Sequence, residues 1–189
     1  MKKLIVLTAA VLASYTGFSQ AWNLDKSHAK LGFTITHMMV SDVDGAFKNF
    51  DAKVTSSKPD FSDAVIDLTA DINSINTDNE KRDEHLKAPD FFDAAKYSTL
   101  TFKSKSMKKV SGKNYKLTGD LTMHGITKTV VLDVVFNGTT THPYNQKTVA
   151  GFKVKGAIKR SDFKIGTGTS TTMLSDEVEL NGNIELVQG

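Results

Sequence analysis

The residues that could carry out chemistry are few and scattered in this 189-residue chain. The chain contains no Cys, which excludes thiolate nucleophiles, disulfides, thiolate zinc sites and iron–sulfur clusters. Its five His residues do not form the His-Glu-x-x-His pattern of a helical zinc protease. The sequence also lacks the Gly-x-Ser-x-Gly pattern of a hydrolase nucleophile. We therefore predict no catalytic residue, no metal site and no cofactor.

Two places in the chain are candidates for contacting the polar part of a ligand. His37 continues the apolar alternation of residues 31–35, so it is expected to point inward near the end of a strand, where it needs a hydrogen-bond partner. Either a backbone carbonyl or a ligand group would satisfy it. Arg82 and His85 belong to a charged stretch that is either a solvated helix face with local ion pairs or a lid whose Arg82 meets an anionic or polar group of a ligand.

The elements that must position these residues are strands. Apolar and polar residues alternate strictly, which is typical of strands with one buried and one hydrated face. The clearest segments are residues 29–37, 64–72, 115–123 and 178–186, and weaker ones cover 47–55, 99–107, 126–137 and 148–160. Only residues 77–95 break the period, and they predict one short helix that ends before Pro89.

Eight such strands joined mostly by short turns predict one all-β, antiparallel domain, built as a closed barrel or a sandwich. The predicted turns are Asp44-Gly45, Lys58-Pro59-Asp60, residues 111–114, His124-Gly125 and Asn137-Gly138. An eight-stranded barrel has an interior that side chains can fill or that can hold one slender ligand. Small inward residues such as Gly119 and Gly182 either leave space for a ligand or only fit the taper of the barrel.

The N-terminus has the pattern of a secretory signal. Lys2 and Lys3 precede the apolar run 4–12, and small and polar residues follow to Ala21. The run is too short to span a bilayer comfortably, so we predict a signal peptide at residues 1–20, a domain at 21–189 and no stable membrane insertion. Without the two lysines the net charge falls from +3 to +1, which argues against a nucleic-acid partner.

Several sequence blocks, read in order, resemble the YceI-like family. The resemblance extends from Trp22 to about Val187. The blocks that carry it are Gly45-Ala46-Phe47 downstream of His37, residues 80–86, residues 91–97, residues 117–128 and Ala150-Gly151-Phe152.

This resemblance implies a periplasmic or secreted, lipocalin-like barrel of eight antiparallel strands with a short helical insertion. It also implies an apolar tunnel that holds a polyisoprenoid lipid, of the isoprenoid-quinone or prenyl-pyrophosphate type, in a carrier or sequestering protein that is not an enzyme. Two alternatives stay open: a stress-related or interaction protein whose barrel core is merely packed, and an enzyme acting on isoprenoid lipids. A homodimer is also left open.

The expected ligand contacts are the inward-facing apolar residues of the barrel together with the polar candidates near its mouth. They are Phe33, Ile35, His37, Ile66, Leu68, Arg82, His85, Leu100, Phe102, Leu117, Leu121, Met123, Phe152, Val154, Leu180 and Ile184.

Overall fold

A computed structural model describes residues 19–189, and its strands form one continuous antiparallel sheet. The predicted signal peptide lies outside the described residues except for its last two. The strands are β1 (Gln20–Leu24), β2 (Lys30–His37), β3 (Ser41–Phe47), β4 (Phe50–Ser56), β5 (Val65–Asp71), β6 (Ile75–Asn76), β7 (Thr99–Ser111), β8 (Asn114–Met123), β9 (Ile126–Thr141), β10 (Thr148–Lys159) and β11 (Leu174–Gln188). The helix α1 spans Glu80–Leu86, and two short 3-10 helices, η1 and η2, span Ile72–Ser74 and Arg160–Phe163.

The eleven strands fill eight strand positions around a closed barrel, and we call each position a stave. Three of these positions are each filled by two successive strands. The strands β1 and β2, which both pair with β11, share the first position. The strands β3 and β4 share the next, and β5 and β6 share the third. The ring runs β1-β4-β5-β7-β8-β9-β10-β11 and closes where Trp22 pairs with Gln188. The predicted all-β, antiparallel eight-stranded barrel with a short helical insertion is therefore confirmed.

The two ends of the barrel differ. At the closed end, the loop 57–64, the turn 112–113 and the loop 142–147 connect neighbouring staves. At the open end lie the turn 38–40, the turn 124–125 and the loop 164–173. Here β6 does not pair with β7 in the described sheet, although β5 does, so α1 and the residues after it bridge a gap in the ladder at this end of the barrel.

Two predicted turns are wrong. Asp44 and Gly45 lie inside β3, paired with Thr34 and Phe33, and a Cβ on Gly45 would collide with the Phe33 ring. Asn137 and Gly138 lie inside β9 at a bulge, where the register with β10 shifts and Gly138 takes a φ of +117°. In both cases the glycine serves packing or backbone geometry within a strand and does not mark a turn.

One predicted strand is shorter than expected. Residues 47–55 were expected to form a continuous strand, but the stave is interrupted at Lys48 and Asn49. The backbone there turns to η1, because Lys48 donates its N–H to the Ser74 carbonyl and Asn49 donates to the Ser74 hydroxyl. Hydrogen bonds to Ser74 thus take the place of the sheet ladder at these two residues.

Candidate ligand-binding cavity

The barrel encloses a cavity of about 520 Å³. This volume falls in the range of roughly 300–1,000 Å³ that is typical of small-molecule sites. Its wall is built from the inward side chains of the staves and is almost entirely apolar. Apart from Asn181, the polar side chains that border it belong to the open end: His37, Thr77, Arg82, His85, Arg160 and Thr169. The cavity therefore has an apolar body and one polar end.

All sixteen residues predicted as ligand contacts border this one cavity. Phe33, Leu68, Leu121 and Leu180 reach it from four different strands. Each lies on the apolar face that the alternation within its own strand predicts. Their role in binding a ligand stays a prediction. One of the small inward residues does not leave free space, because the Phe102 ring occupies the place that a Cβ on Gly119 would take. Gly182, by contrast, borders the cavity.

Aromatic rings plug the closed end. Phe61, in the loop after β4, is 1% exposed, and its ring centroid lies 4.9 Å from that of Trp22, 5.2 Å from Phe136 and 5.0 Å from Phe152. Phe136 and Phe152 stack with their centroids 5.0 Å apart. Tilted and edge-to-face packing of this kind adds stabilisation beyond the apolar area that the rings bury. This aromatic plug forms the floor of the cavity.

Asp63 holds the loop that carries the plug. Its carboxylate accepts the Ser56 hydroxyl at 2.6 Å, the Ser57 N–H at 3.0 Å and the Ser57 hydroxyl. Burial raises the pKa of Asp63, but the hydrogen bonds from Ser56 and Ser57 outweigh burial and hold that pKa well below its ordinary value. The loop is therefore tied down by a carboxylate that must stay ionised.

We expect Asp63→Asn to lower the free energy of unfolding at neutral pH by about 1–3 kcal/mol, because the bonds to the carboxylate are charge-assisted. Since the folded-state pKa is depressed, the stabilisation is fully present above the unfolded pKa near 3.8 and is lost as the pH falls through the folded value. The difference between wild type and variant, measured by urea unfolding, should shrink below about pH 4. A difference that stays constant from pH 7 to pH 2 would contradict this role.

At the open end, α1 is hydrogen-bonded to Thr77, the residue that follows β6. The buried Asp83 carboxylate accepts the Thr77 N–H at 2.8 Å and the Thr77 hydroxyl at 2.6 Å. Arg82 donates its Nε–H to the Thr77 hydroxyl and its Nη2 to the Thr77 carbonyl, both at 2.7 Å. Asn79 caps the helix by accepting the Arg82 N–H at 3.0 Å. The guanidinium of Arg82 is thus fixed at the rim, and within the described residues its Nη1 donates no hydrogen bond.

The two predicted histidines also lie at this rim, and both are exposed. His85 packs edge-on against Phe91 with ring centroids 4.8 Å apart, and its Nε2 lies 3.2 Å from an Asp90 carboxylate oxygen. His37 is the last residue of β2. It borders the cavity near the end of a strand, as expected, but it is exposed, so water can take the place of the hydrogen-bond partner that a buried imidazole would need.

Sequence reasoning missed Arg160, which organises the rest of the rim. It is 4% exposed, and its guanidinium donates all of its hydrogen bonds to backbone carbonyls. The acceptors are Ser175 at 3.0 Å, Ile165 at 3.2 Å, Thr169 at 2.8 Å, Leu174 at 3.0 Å, and Gly166. Five donors in a fixed fork thus fold the loop 164–173 around one side chain. Nothing in the strand pattern marks this residue, because its partners are backbone groups of an irregular loop.

A cluster of three potential metal ligands lies away from the cavity. Asp25, His28 and Glu185 bring their ligand atoms within 4.8 Å of one another at the break between β1 and β2. His28 Nδ1 lies 3.1 Å from Asp25 and 3.8 Å from Glu185. The hydrogen bond to Asp25 and the charges of both carboxylates raise the pKa of His28, so the cluster favours a protonated imidazole on the surface.

Comparison with known proteins is consistent with this architecture. The model of the YceI-like domain matches residues 22–186. The chain belongs to the YceI-like family. It is 37% identical to protein YceI of Salmonella newport strain SL254 over 191 residues, which covers 99% of this chain and 98% of the relative.

Solved structures of the family have the same barrel. The crystal structure of a Campylobacter jejuni YceI protein is 40% identical and has a TM-score of 0.75, with 87% of this chain and 96% of that one covered. A polyisoprenoid binding domain from Saccharophagus degradans, implicated in plant cell wall breakdown, has a TM-score of 0.67 over 90% of this chain and 99% of that one. At 16% identity, this second likeness shows the fold alone.

Proposed function

We propose that this YceI-like protein binds a long-chain polyisoprenoid lipid, of the isoprenoid-quinone or prenyl-pyrophosphate type, and carries or sequesters it. The observation that supports this most is the cavity itself, which has an apolar body and polar side chains gathered at one end. A lipid with a long hydrocarbon tail and one polar head group has the same division. The name of the Saccharophagus degradans domain, whose barrel is similar, supports the same ligand class.

The shape of the cavity suits a tail. Along the part of β11 that follows the irregularity after Leu174, the bordering positions run from Val178 to Leu186. At about 3.4 Å per residue this is about 27 Å of strand, or about 20 Å along the axis of a barrel with typical strand tilt. The aromatic plug closes one end of this length, so a tail would enter at the rim and end against Phe61.

The polar end suits a head group that remains partly hydrated. Arg82 and His85 stand at the rim, and Arg82 is held in place through Thr77. Arg160 adds a second positive charge to the wall, although its donors are occupied by carbonyls. The charges would attract a diphosphate or orient a quinone, and in a solvated position they contribute selectivity more than affinity.

The cavity wall favours a carrier over the two alternatives. The residues that border it include no Asp or Glu, and its two histidines, His37 and His85, lie at the exposed rim, so in the described chain no acid–base pair lines the apolar body where a tail would lie. A merely packed core would leave no space, whereas this barrel keeps about 520 Å³. The measurement that tests the proposal is organic extraction of protein purified without detergent, followed by mass spectrometry. We expect one isoprenoid lipid per chain, and an extract without isoprenoids from protein that also takes up none would contradict the proposal.

We further propose that the protein acts outside the cytoplasm. Lys2, Lys3 and the apolar run that follows them support this, since they have the pattern of a cleaved signal. The mature chain should begin near residues 20–22 and lie in a soluble fraction outside the cytoplasm, as measured by N-terminal mass analysis. An intact Met1 in a membrane fraction would contradict it.

A further inference from the structure

Two uncharged segments meet at the open end of the barrel. Residues 35–41 and 165–174 contain no Asp, Glu, Lys or Arg, in a chain of which 24% is charged. The first segment includes the turn between β2 and β3, and the second is the loop that Arg160 organises. The Met38 N–H donates to the Met173 carbonyl at 2.9 Å and joins the two segments. We call their outer surface the rim platform, formed by Met38, Met39, Val40 and Met173.

The rim platform concentrates exposed apolar side chains. Met38 is 50% exposed, Met39 74%, Val40 83% and Met173 47%. Half of the large hydrophobic residues that are exposed in the described chain gather here. Contiguous exposed apolar surface marks an interaction site, whereas single exposed residues need no explanation.

The backbone of the turn projects these side chains outward at a cost. Val40 donates its N–H to the His37 carbonyl at 3.1 Å, and the two central residues have positive φ angles, +50° for Met38 and +60° for Met39. Such a turn prefers Asn or Gly at its centre, because a larger side chain is strained in the left-handed region. Two methionines therefore occupy positions where local backbone preference opposes them.

The rim platform is continuous with the cavity. His37 and Met173 border the cavity and also belong to the two segments that form the platform. Apolar surface thus leads from the exposed turn into the barrel interior. A lipid that leaves a bilayer at this place would stay in contact with apolar side chains along its path.

We propose that the open end docks reversibly on a lipid bilayer through the rim platform, so that a lipid passes between bilayer and cavity without crossing water. This inference rests on the proposed function. The lack of charged residues in both segments fits the boundary between head groups and hydrocarbon, and it distinguishes this surface from basic patches that recognise anionic lipids. Four side chains offer too little apolar area for permanent anchoring, so docking is reversible.

The test is flotation of the purified protein with neutral vesicles of phosphatidylcholine and phosphatidylethanolamine. The wild-type protein should float with the vesicles, and raising the salt concentration should not release it. The double variant Met39→Ser/Val40→Ser should associate at least five-fold more weakly. A matched control is Val65→Ser/Val110→Ser, which removes two exposed valines at the closed end and should behave like wild type.

A second measurement separates this inference from the proposed function. Binding of soluble geranylgeranyl diphosphate should be unchanged in Met39→Ser/Val40→Ser, whereas the rate of lipid uptake from vesicles should fall at least ten-fold. Unchanged vesicle association and uptake in this variant would overturn docking through the platform while leaving lipid binding intact. Association that requires anionic lipid and disappears in high salt would overturn it as well. If the wild-type protein bound no isoprenoid at all, the proposed function would be refuted. Flotation would still decide whether the open end docks on a bilayer.

Discussion

Leu121→Asp should be among the most destabilising single substitutions in this barrel, at about 4 kcal/mol or more of unfolding free energy. Leu121 is 6% exposed, lies near the C-terminal end of β8 and borders the cavity. The substitution removes a buried apolar side chain and places a carboxylate in the apolar wall of the cavity. Urea unfolding at neutral pH would measure the loss.

The neighbouring residue gives a matched control. Thr122 faces outward, and its hydroxyl shares a 2.8 Å hydrogen bond with Thr127. Thr122→Asp should cost at most about 1 kcal/mol, since its charge stays hydrated. Burial raises the pKa of a carboxyl introduced at position 121, so the deficit of Leu121→Asp should grow as the pH rises from 4 to 8. Equal losses in the two variants would contradict the inward assignment of the odd-numbered positions of β8.

Val154→Trp should abolish lipid uptake while leaving the barrel folded. Val154 borders the cavity from β10, and its cross-strand neighbour Gly182 has no side chain to compete for the space. A ring introduced there would extend into the cavity and occupy the volume that a tail needs. Because the ring fills space and does not displace packed atoms, its apolar area offsets part of the strain of overpacking. Lipid recovered by extraction should fall at least ten-fold.

Lys155→Trp is the control for this variant. Lys155 is exposed on the outer face of the same strand, so the same ring there should leave lipid uptake unchanged. Thermal unfolding checks that both variants are folded. Retention of a full complement of lipid by a folded Val154→Trp protein would show that the tail does not lie in the cavity.

Much of the barrel was readable from the sequence because one physical rule governs it. Side chains in a strand point alternately to two faces, so the apolar parity of residues such as Phe33 and Leu121 predicted one shared interior. The two wrong turn predictions had a local cause. Gly45 and Gly138 were read as turns, since glycine marks turns, but in this fold one accommodates the Phe33 ring and the other a bulge.

The rim of the cavity was less accessible to sequence reasoning. Arg160 acts through carbonyls of a loop whose path only the folded chain defines, so its role had no signature in residue types or spacing. His37 followed the inward parity of its strand, yet it stands at the end of that strand where the wall of the barrel stops, and it is exposed. Parity predicts the face of a residue and not its depth along the barrel axis.

We propose that the tail of the lipid, and not its head group, provides most of the binding affinity. Apolar burial contributes roughly 25 cal/mol per Å², so a tail that buries about 400 Å² gains about 10 kcal/mol before the costs of ordering and lost freedom. Arg82 and His85 lie at the hydrated rim, where charge interactions are screened by salt.

The most direct test is a titration of geranyl, farnesyl and geranylgeranyl diphosphate, which share one head group, against wild type and Arg82→Ala at two salt concentrations. We predict that affinity rises at least ten-fold with each added isoprene unit until the cavity is filled. Arg82→Ala and the higher salt concentration should each weaken binding by less than about five-fold. Affinity that ignores tail length but falls steeply with salt or with the loss of Arg82 would show that the protein reads head groups, and the tunnel account would be wrong.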